Sequence, residues 1–215
     1  MLPENVDFEN LLRVLRKLSW GAADILMAYA RGKQPPYGFP KYLNVEESSE
    51  GPVSMADLAV NTWLIDGLEE NFPFANWTLL SEETFKKDLT IAEPIDSEWL
   101  WILDPLDGTK DFLQGTPDYA VHLALVKNNQ TVLGVVLIPE SSELWFGISG
   151  YCSWCEDRES NKKVFQLSKR NNFSDLILVT SRNHREKRLE NLIKELEFKQ
   201  VKVIGSIGCK IATIL

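Results

Sequence analysis

The residues best suited to chemistry are acidic and follow predicted strands. Asp104 and Asp107 come after the apolar run Leu100–Leu103, in a segment that also holds a proline and a glycine. The run predicts a buried strand, and the proline and glycine predict a tight turn in which two carboxylates can converge. Glu82 follows an earlier predicted strand. Like charges in one site resist joint ionisation, so three carboxylates there would need a hard divalent cation, and oxygen ligands favour Mg²⁺, Mn²⁺ or Ca²⁺. We therefore predict a metal-dependent phosphoryl site.

Two of these features also have a purely structural interpretation. Pro-x-Asp-Gly is a common turn sequence and aspartate often caps helices, so the turn alone predicts local structure as well as it predicts a site. Ser54-x-x-Asp57 fits a capping box, in which the Asp57 carboxylate closes the start of a helix. On the residues alone, the capping interpretation of Asp57 is favoured over a catalytic one.

The cysteines and histidines offer weaker signals. Cys152-x-x-Cys155 has neither a second pair nor a thioredoxin-like context, so we interpret it as free thiols near a hairpin tip rather than a zinc or redox site. His122 falls in an alternating strand, and we assign it a structural role. His184 follows a predicted strand and precedes a predicted helix, which is where α/β sheets bind ligands.

Composition and charge narrow the class of partner. The chain has 215 residues and a net charge of −8, which argues against binding a nucleic acid polymer through a basic face. Nothing resembles an integral membrane segment or a signal peptide, and three cysteines do not make an even disulfide framework. We therefore predict a reduced, cytoplasmic setting and leave the oligomeric state open.

The periodicity predicts an α/β chain. Apolar residues from Phe8 to Tyr29 recur at helical spacing, a polar segment up to about Gly51 predicts a loop or weak hairpin over the site, and a second helix starts near Ser54. We expect these helices to pack on an antiparallel-rich sheet that ends at about Gly150. Its strands are predicted at Trp77–Leu80, Trp99–Leu103, Tyr119–Val126, Thr131–Ile138 and Leu144–Ile148, with a turn at Asn128-Asn129 between the third and the fourth.

After about Ser168 the pattern changes to strand, helix, strand, at Leu176–Thr180, Arg185–Glu197 and Val201–Ile204. This pattern predicts a second, α/β unit. We divide the chain into an α+β domain at residues 1–167, which carries the site, and a domain at residues 168–215. The final residues read as the first turns of a helix without a polar end, so we expect the second domain to be truncated and incomplete.

Several motifs together resemble the inositol monophosphatase superfamily of Mg²⁺-dependent, lithium-sensitive phosphatases. They are Pro52–Asp57, Glu82-Glu83, Asp104-Pro105-Leu106-Asp107-Gly108-Thr109, Ser181–His184 and Gly205-Ser206. Lys110-Asp111-Phe112 is similar to the 3′(2′),5′-bisphosphate nucleotidase (CysQ-like) branch, since inositol monophosphatases more often carry Thr-Asn-Phe there. The resemblance spans nearly the whole chain and implies a layered α-β-α-β-α sandwich.

The resemblance also implies a role for each matching residue. Glu82, Asp104 and the Leu106 carbonyl would hold one Mg²⁺, Asp104 and Asp107 a second, and a weaker third ion would sit by Glu82. Asp57 and Thr109 would orient and deprotonate the attacking water. Substrate contacts are implied for Glu82, Leu106, Asp107, Gly108, Thr109, Ser181, His184, Gly205, Ser206 and Lys210. The family's last metal ligand, in a downstream Trp-Asp-x-Ala motif, has no counterpart in these residues.

The implied reaction is hydrolysis of adenosine 3′(2′),5′-bisphosphate, and of its phosphosulfate relative, by a metal-activated water in sulfur assimilation. The alternatives are an inositol or sugar phosphate phosphatase of the same superfamily, which would take a polyol substrate, or an inactive metal-binding fragment. Haloacid-dehalogenase phosphatases need Asp-x-Asp, whereas two residues separate Asp104 from Asp107, which disfavours a covalent aspartyl-phosphate.

Overall fold

A computed structural model describes residues 2–48, 51–87, 96–163, 170, 172–182 and 187–214 of the chain. The helices are α1 (Phe8–Ala30), α2 (Met55–Asn71), α3 (Glu82–Lys87), α4 (Thr109–Leu113), α5 (Lys187–Glu195) and α6 (Ile207–Ile214). The strands are β1 (Val45–Ser48), β2 (Gly51–Ser54), β3 (Thr78–Ser81), β4 (Trp99–Asp107), β5 (Ala120–Lys127), β6 (Gln130–Ile138), β7 (Glu143–Ile148), β8 (Cys152–Glu156), β9 (Lys162–Lys163), β10 (Ile177–Ser181) and β11 (Gln200–Ile204).

The two long helices form the first layer. The side chain of Asp7 caps α1 by accepting the Asn10 N–H at 2.8 Å, and the apolar face of the helix is buried along its whole length. α1 and α2 approach closely, because a Cβ added at Gly67 would lie 2.2 Å from Leu18 Cδ2. The indole N–H of Trp63 then reaches the Leu18 carbonyl at 2.8 Å. Both predicted helices are confirmed.

α1 and α2 cover one face of a seven-stranded sheet with the order β3-β4-β5-β6-β7-β8-β9. β3 and β4 are parallel and every other neighbouring pair is antiparallel. Asn128 and Asn129 both have positive φ, at 47° and 63°, as a tight hairpin turn between β5 and β6 requires. The predicted hairpin before α2 is also present, as β1 paired with β2.

The sheet continues beyond Gly150, contrary to the prediction, through β8 and β9. β8 was not predicted because one of its residues, Glu156, is charged and yet fully buried at 0% exposure. The cysteine pair lies in β8, next to the hairpin turn between β7 and β8, as predicted. Cys152 opens β8 just after the turn and is exposed, Cys155 is buried opposite Trp145, and both have free thiols.

The third layer is α6, which contacts β5 and β6 on one side and β10 and β11 on the other. β10 and β11 run parallel in a sheet of their own, so the predicted strand-helix-strand unit is confirmed. The whole is the mixed α/β fold that the sequence predicted. The predicted domain boundary falls among residues 164–169, outside the described residues, and the division into two domains stays a prediction. Of the helices described, none is long and apolar enough to cross a membrane.

Candidate active site

The aspartate turn is built into the end of β4. The strand runs past its predicted end at Leu103 as far as Asp107, and its register with β5 shifts between Asp104, opposite His122, and Asp107, opposite Ala120. Such a bulge re-aims side chains at a strand end. The Leu106 N–H donates to Asp104 Oδ1 at 3.1 Å and holds the turn closed. Both aspartates are therefore fixed by backbone geometry rather than carried on a loose loop.

Gly108 joins this turn to α4. Its φ is +91°, and a Cβ added there would lie 2.7 Å from the Asp118 carbonyl oxygen, so both conformation and space call for glycine. α4 then begins at Thr109. This helix has only five residues.

Thr109, at the start of α4, contacts Asp57, in the first turn of α2. The Thr109 hydroxyl lies 3.0 Å from Asp57 Oδ1 and 3.0 Å from the Leu106 carbonyl oxygen, either of which can accept its hydrogen bond. Asp57 Oδ2 accepts the backbone N–H of Ser54 at 2.8 Å and its hydroxyl at 2.6 Å, which completes the predicted capping box. Burial raises the pKa of Asp57, while the hydrogen bonds from Ser54 and Thr109 oppose that rise. Capping and contact with Thr109 therefore occupy different oxygens of one carboxylate.

Glu82 reaches Asp104 because β3 and β4 are parallel neighbours, which brings their carboxyl ends to one edge of the sheet. Glu82 starts α3 directly after β3, and it is hydrogen-bonded to Asp104. Burial, followed by the charges of Glu82 and Asp107, raises the pKa of Asp104 to about 8. The side chain is still 32% exposed. Asp104 is thus the point at which the predicted acidic residues crowd one another.

Residues of the C-terminal unit also contact the acidic turn of β4. The Ser206 hydroxyl donates to Asp107 Oδ2, and the Gly208 N–H donates to the same oxygen at 3.0 Å. Lys210 Nζ lies 2.9 Å from the Ser181 hydroxyl and 3.0 Å from the Gly205 carbonyl oxygen. Of the substrate contacts implied by the resemblance, only His184 falls outside the described residues.

His122 is a residue whose position the sequence analysis missed. Its Nε2 lies 3.3 Å from Asp107 Oδ2 and its Nδ1 lies 3.9 Å from Asp104 Oδ2, so it borders the acidic residues rather than serving the sheet alone. Nε2 is buried and makes no hydrogen bond within the described residues, and burial lowers the pKa of the imidazole. The signal that could have revealed it is the register of β5 against β4, which the sequence does not give.

The chemistry of these residues fits a hard cation. Carboxylate and carbonyl oxygens are the ligands that Mg²⁺ and Ca²⁺ prefer, and the raised pKa of Asp104 reflects negative charge that a cation would offset. Within the part of the chain that the structure describes, no three or more histidine, cysteine, aspartate or glutamate side chains form a ready-made metal cage. The acidic side chains instead interact in pairs through Asp104, and Asp107 is held by Ser206 and Gly208.

Fold and site together define a class of protein. The model of the inositol monophosphatase family matches residues 7–215, and the chain belongs to that family of phosphatases, which are generally metal-dependent. Among curated proteins, the 3′(2′),5′-bisphosphate nucleotidase CysQ of Salmonella typhimurium strain LT2 is 29% identical over 198 residues, which cover 91% of this chain and 73% of that protein.

Solved structures of related proteins have the same fold. An IMPase from Thermotoga maritima matches 94% of this chain and 71% of its own with a TM-score of 0.72 and 21% identity. An IMPase/NADP phosphatase complexed with NADP and Ca²⁺ matches 96% of this chain and 71% of its own with a TM-score of 0.73 and 16% identity. At these identities the likeness is one of fold alone.

Proposed function

We propose that the chain is a Mg²⁺-dependent phosphomonoesterase that hydrolyses adenosine 3′,5′-bisphosphate to AMP and phosphate. The observation that carries the proposal is the 3.0 Å contact between Thr109 and Asp57, next to the acidic turn of β4. A hydroxyl paired with a buried carboxylate can orient a water and take up its proton. The substrate is proposed from the 29% identity to the CysQ nucleotidase and from Lys110-Asp111-Phe112.

In the proposed reaction the polar groups either activate the attacking water or bind the substrate. Asp57 holds the Thr109 hydroxyl through Oδ1, so that the lone pairs of the hydroxyl oxygen orient the attacking water. The Thr109 oxygen then takes a proton from this water while its own proton passes to Asp57. The raised pKa of Asp57 makes it a stronger base than an exposed aspartate. The backbone N–H groups of Gly108 and Thr109 would receive phosphate oxygens. Ser181 and Lys210, together with His184, would contact the rest of the substrate.

The proposed cofactor is Mg²⁺, held by Glu82, Asp104, Asp107 and the Leu106 carbonyl as two or three ions. When bound, it supplies positive charge against the phosphate and lowers the pKa of a water. No phospho-enzyme is expected, so mass spectrometry of the enzyme during turnover should find no phosphoryl group on Asp104 or Asp107. A cytoplasmic role in sulfur assimilation stays a prediction.

The experiment that tests this function compares phosphate release from adenosine 3′,5′-bisphosphate and from inositol 1-phosphate, each with Mg²⁺ and with a chelator. The proposal expects Mg²⁺-dependent release with a higher kcat/KM for the nucleotide. A preference for inositol 1-phosphate would instead support a polyol phosphatase of the same family. Release that continues unchanged in chelator would overturn the metal-dependent mechanism.

Asp57→Asn separates the chemical role of this residue from its capping role. The amide keeps an oxygen for the Ser54 N–H and can donate to Thr109 through nitrogen, but it is no longer a base. We expect kcat to fall about 100- to 10,000-fold, with Tm lowered by less than about 5 °C. Asp66→Asn, an exposed position on the same helix, is the matched control and should change neither value. A near-normal kcat in Asp57→Asn would show that Asp57 only caps α2 and is not the base.

A further inference from the structure

A second cluster of charges lies next to the site, because one of its members, Asp111, is in the same short helix as Thr109. Arg182 follows β10, and its guanidinium contacts Asp111 of α4 through Nη1 and Asp118 through Nη2. Nη1 also donates to the Thr116 hydroxyl at 3.1 Å. The side chain of Asp111 is only 4% exposed and that of Asp118 is 17% exposed. We call Arg182, Asp111, Asp118 and Thr116 the Arg182 cluster.

The cluster holds the start of the 205–208 segment. Asp118 Oδ2, which accepts from Arg182, also accepts the Gly205 N–H at 3.2 Å. A Cβ added at Gly205 would lie 2.0 Å from Asp111 Oδ2, so the backbone passes directly over this carboxylate. The guanidinium fork therefore fixes two carboxylates that together set the path of the chain at Gly205.

The same segment fixes an acidic residue of the site. Ser206 and Gly208 donate their two hydrogen bonds to Asp107 Oδ2, one residue and three residues beyond Gly205. Without the Arg182 charge, Asp111 and Asp118 would lose their shared partner beneath Gly205. Since a charge left in a buried position is costly, we expect the segment to move away from them. Any such movement acts on Asp107, because the segment supplies both of these donors.

We propose that Arg182 is a positioning residue for phosphate hydrolysis, which fixes the Asp107 carboxylate through the 205–208 segment without touching substrate or metal. This inference rests on the proposed function for its catalytic part. Its structural part, the hold of Arg182 on the segment, is independent of any activity. The two parts can therefore be tested with separate measurements.

Arg182→Lys and Arg182→Gln test the proposal. An ammonium is a compact charge and lacks the planar fork that meets Asp111 and Asp118 together, and glutamine removes the charge. Arg16→Lys is the matched control, because Arg16 makes a similar forked contact with the buried Glu156, at 2.5 and 3.1 Å, between α1 and β8. Each lysine variant loses one guanidinium fork that contacts a buried carboxylate, but only Arg182 contacts α4, the helix that begins at Thr109.

Hydrogen–deuterium exchange at residues 205–210 is the first measurement. We expect exchange there to be about 10-fold faster or more in Arg182→Gln, with a smaller increase in Arg182→Lys and none in Arg16→Lys. The second measurement is phosphate release against Mg²⁺ concentration. We expect kcat/KM to fall about 10- to 100-fold in Arg182→Gln, with a higher Mg²⁺ concentration for half-maximal rate, because a small displacement of a reacting group is costly.

The outcomes separate the two proposals. Slow exchange at 205–210 in Arg182→Gln would overturn the hold of Arg182 on the segment. Fast exchange with unchanged Mg²⁺ dependence, or a loss of rate that Arg16→Lys shares at equal Tm, would overturn the positioning role. If the unchanged protein released no phosphate from any substrate, the proposed function would fail, while the exchange comparison would still decide whether Arg182 holds the segment.

Discussion

Single residues in this site often have two tasks. Asp57 closes the start of α2 with one carboxylate oxygen and meets Thr109 with the other. Asp107 belongs to the acidic turn and is also the acceptor for Ser206 and Gly208. Such sharing means that a substitution can lower activity and stability together. Experiments on the site therefore need control variants that change only the activity or only the stability.

Gly108→Ala tests how tightly one residue fixes the turn. The change adds a Cβ 2.7 Å from the Asp118 carbonyl oxygen at a φ of +91°, so we expect a loss of about 2–4 kcal/mol in the free energy of unfolding in urea. Gly32→Ala is the control, because Gly32 has a φ of +61° with open space around it. That variant should lose only about 1 kcal/mol. Equal losses would show that backbone strain, and not the contact with Asp118, is the cost at Gly108.

Residue types and their order in the sequence were enough to predict that Glu82 approaches Asp104, but not the contacts of His122 and Arg182. Asp104 and Glu82 could be predicted to meet, because each follows an apolar run and the ends of neighbouring parallel strands converge. His122 could not, because its approach to Asp107 depends on a bulge in β4 that shifts the register with β5. The Arg182 contacts join residues more than sixty positions apart and follow no local pattern.

At the scale of elements, prediction worked where one face of a helix or strand is apolar. α1 is regular in this sense and was predicted within one residue of each end. β8 was missed because its buried side includes Glu156, which forms a forked ion pair with Arg16 and accepts the Trp154 indole N–H at 2.8 Å. A charged residue reads as a surface position unless its partner is known, and here the partner lies on α1.

The Arg16–Glu156 contact should be the main polar link between α1 and β8. Arg16→Met keeps the aliphatic stem but leaves a carboxylate with 0% exposure without its cation, so we expect a loss of about 3 kcal/mol in urea unfolding. Arg158→Met is the matched control, since the Arg158–Asp24 pair is 46% and 41% exposed and should contribute less than about 1 kcal/mol. Similar losses in both variants would contradict a special role for the buried pair.

The whole molecule carries a net charge of −8, and its site concentrates part of that charge. If Mg²⁺ binds the folded protein but not the unfolded chain, it shifts the unfolding equilibrium toward the folded state and raises the free energy of unfolding of the whole molecule. We expect Tm to rise by about 5–10 °C at a Mg²⁺ concentration ~100 times its Kd. NaCl at the same ionic strength controls for screening and should have little effect.

Asp104→Asn is the companion variant in the same Tm measurement. It replaces a carboxyl group that is costly to ionise, because of burial and the charges of Glu82 and Asp107, with a neutral amide that carries no such cost. We expect the variant to be at least as stable as the unchanged chain without metal and to lose most of the Mg²⁺-induced rise. A full rise in Asp104→Asn would place the ion elsewhere.

The reactivity of the three thiols can report local opening of the folded protein. Cys152 is exposed, whereas Cys155 and Cys209 are buried, and burial raises the pKa of each buried thiol to about 11. The thiolate is the nucleophile that attacks an alkylating reagent, so the folded protein should take up one label, on the exposed Cys152. Labelling of Cys209 requires α6 to move away from the sheet. The labelling rate of this thiol would therefore measure how often the C-terminal unit separates from the rest of the chain, without any engineered probe.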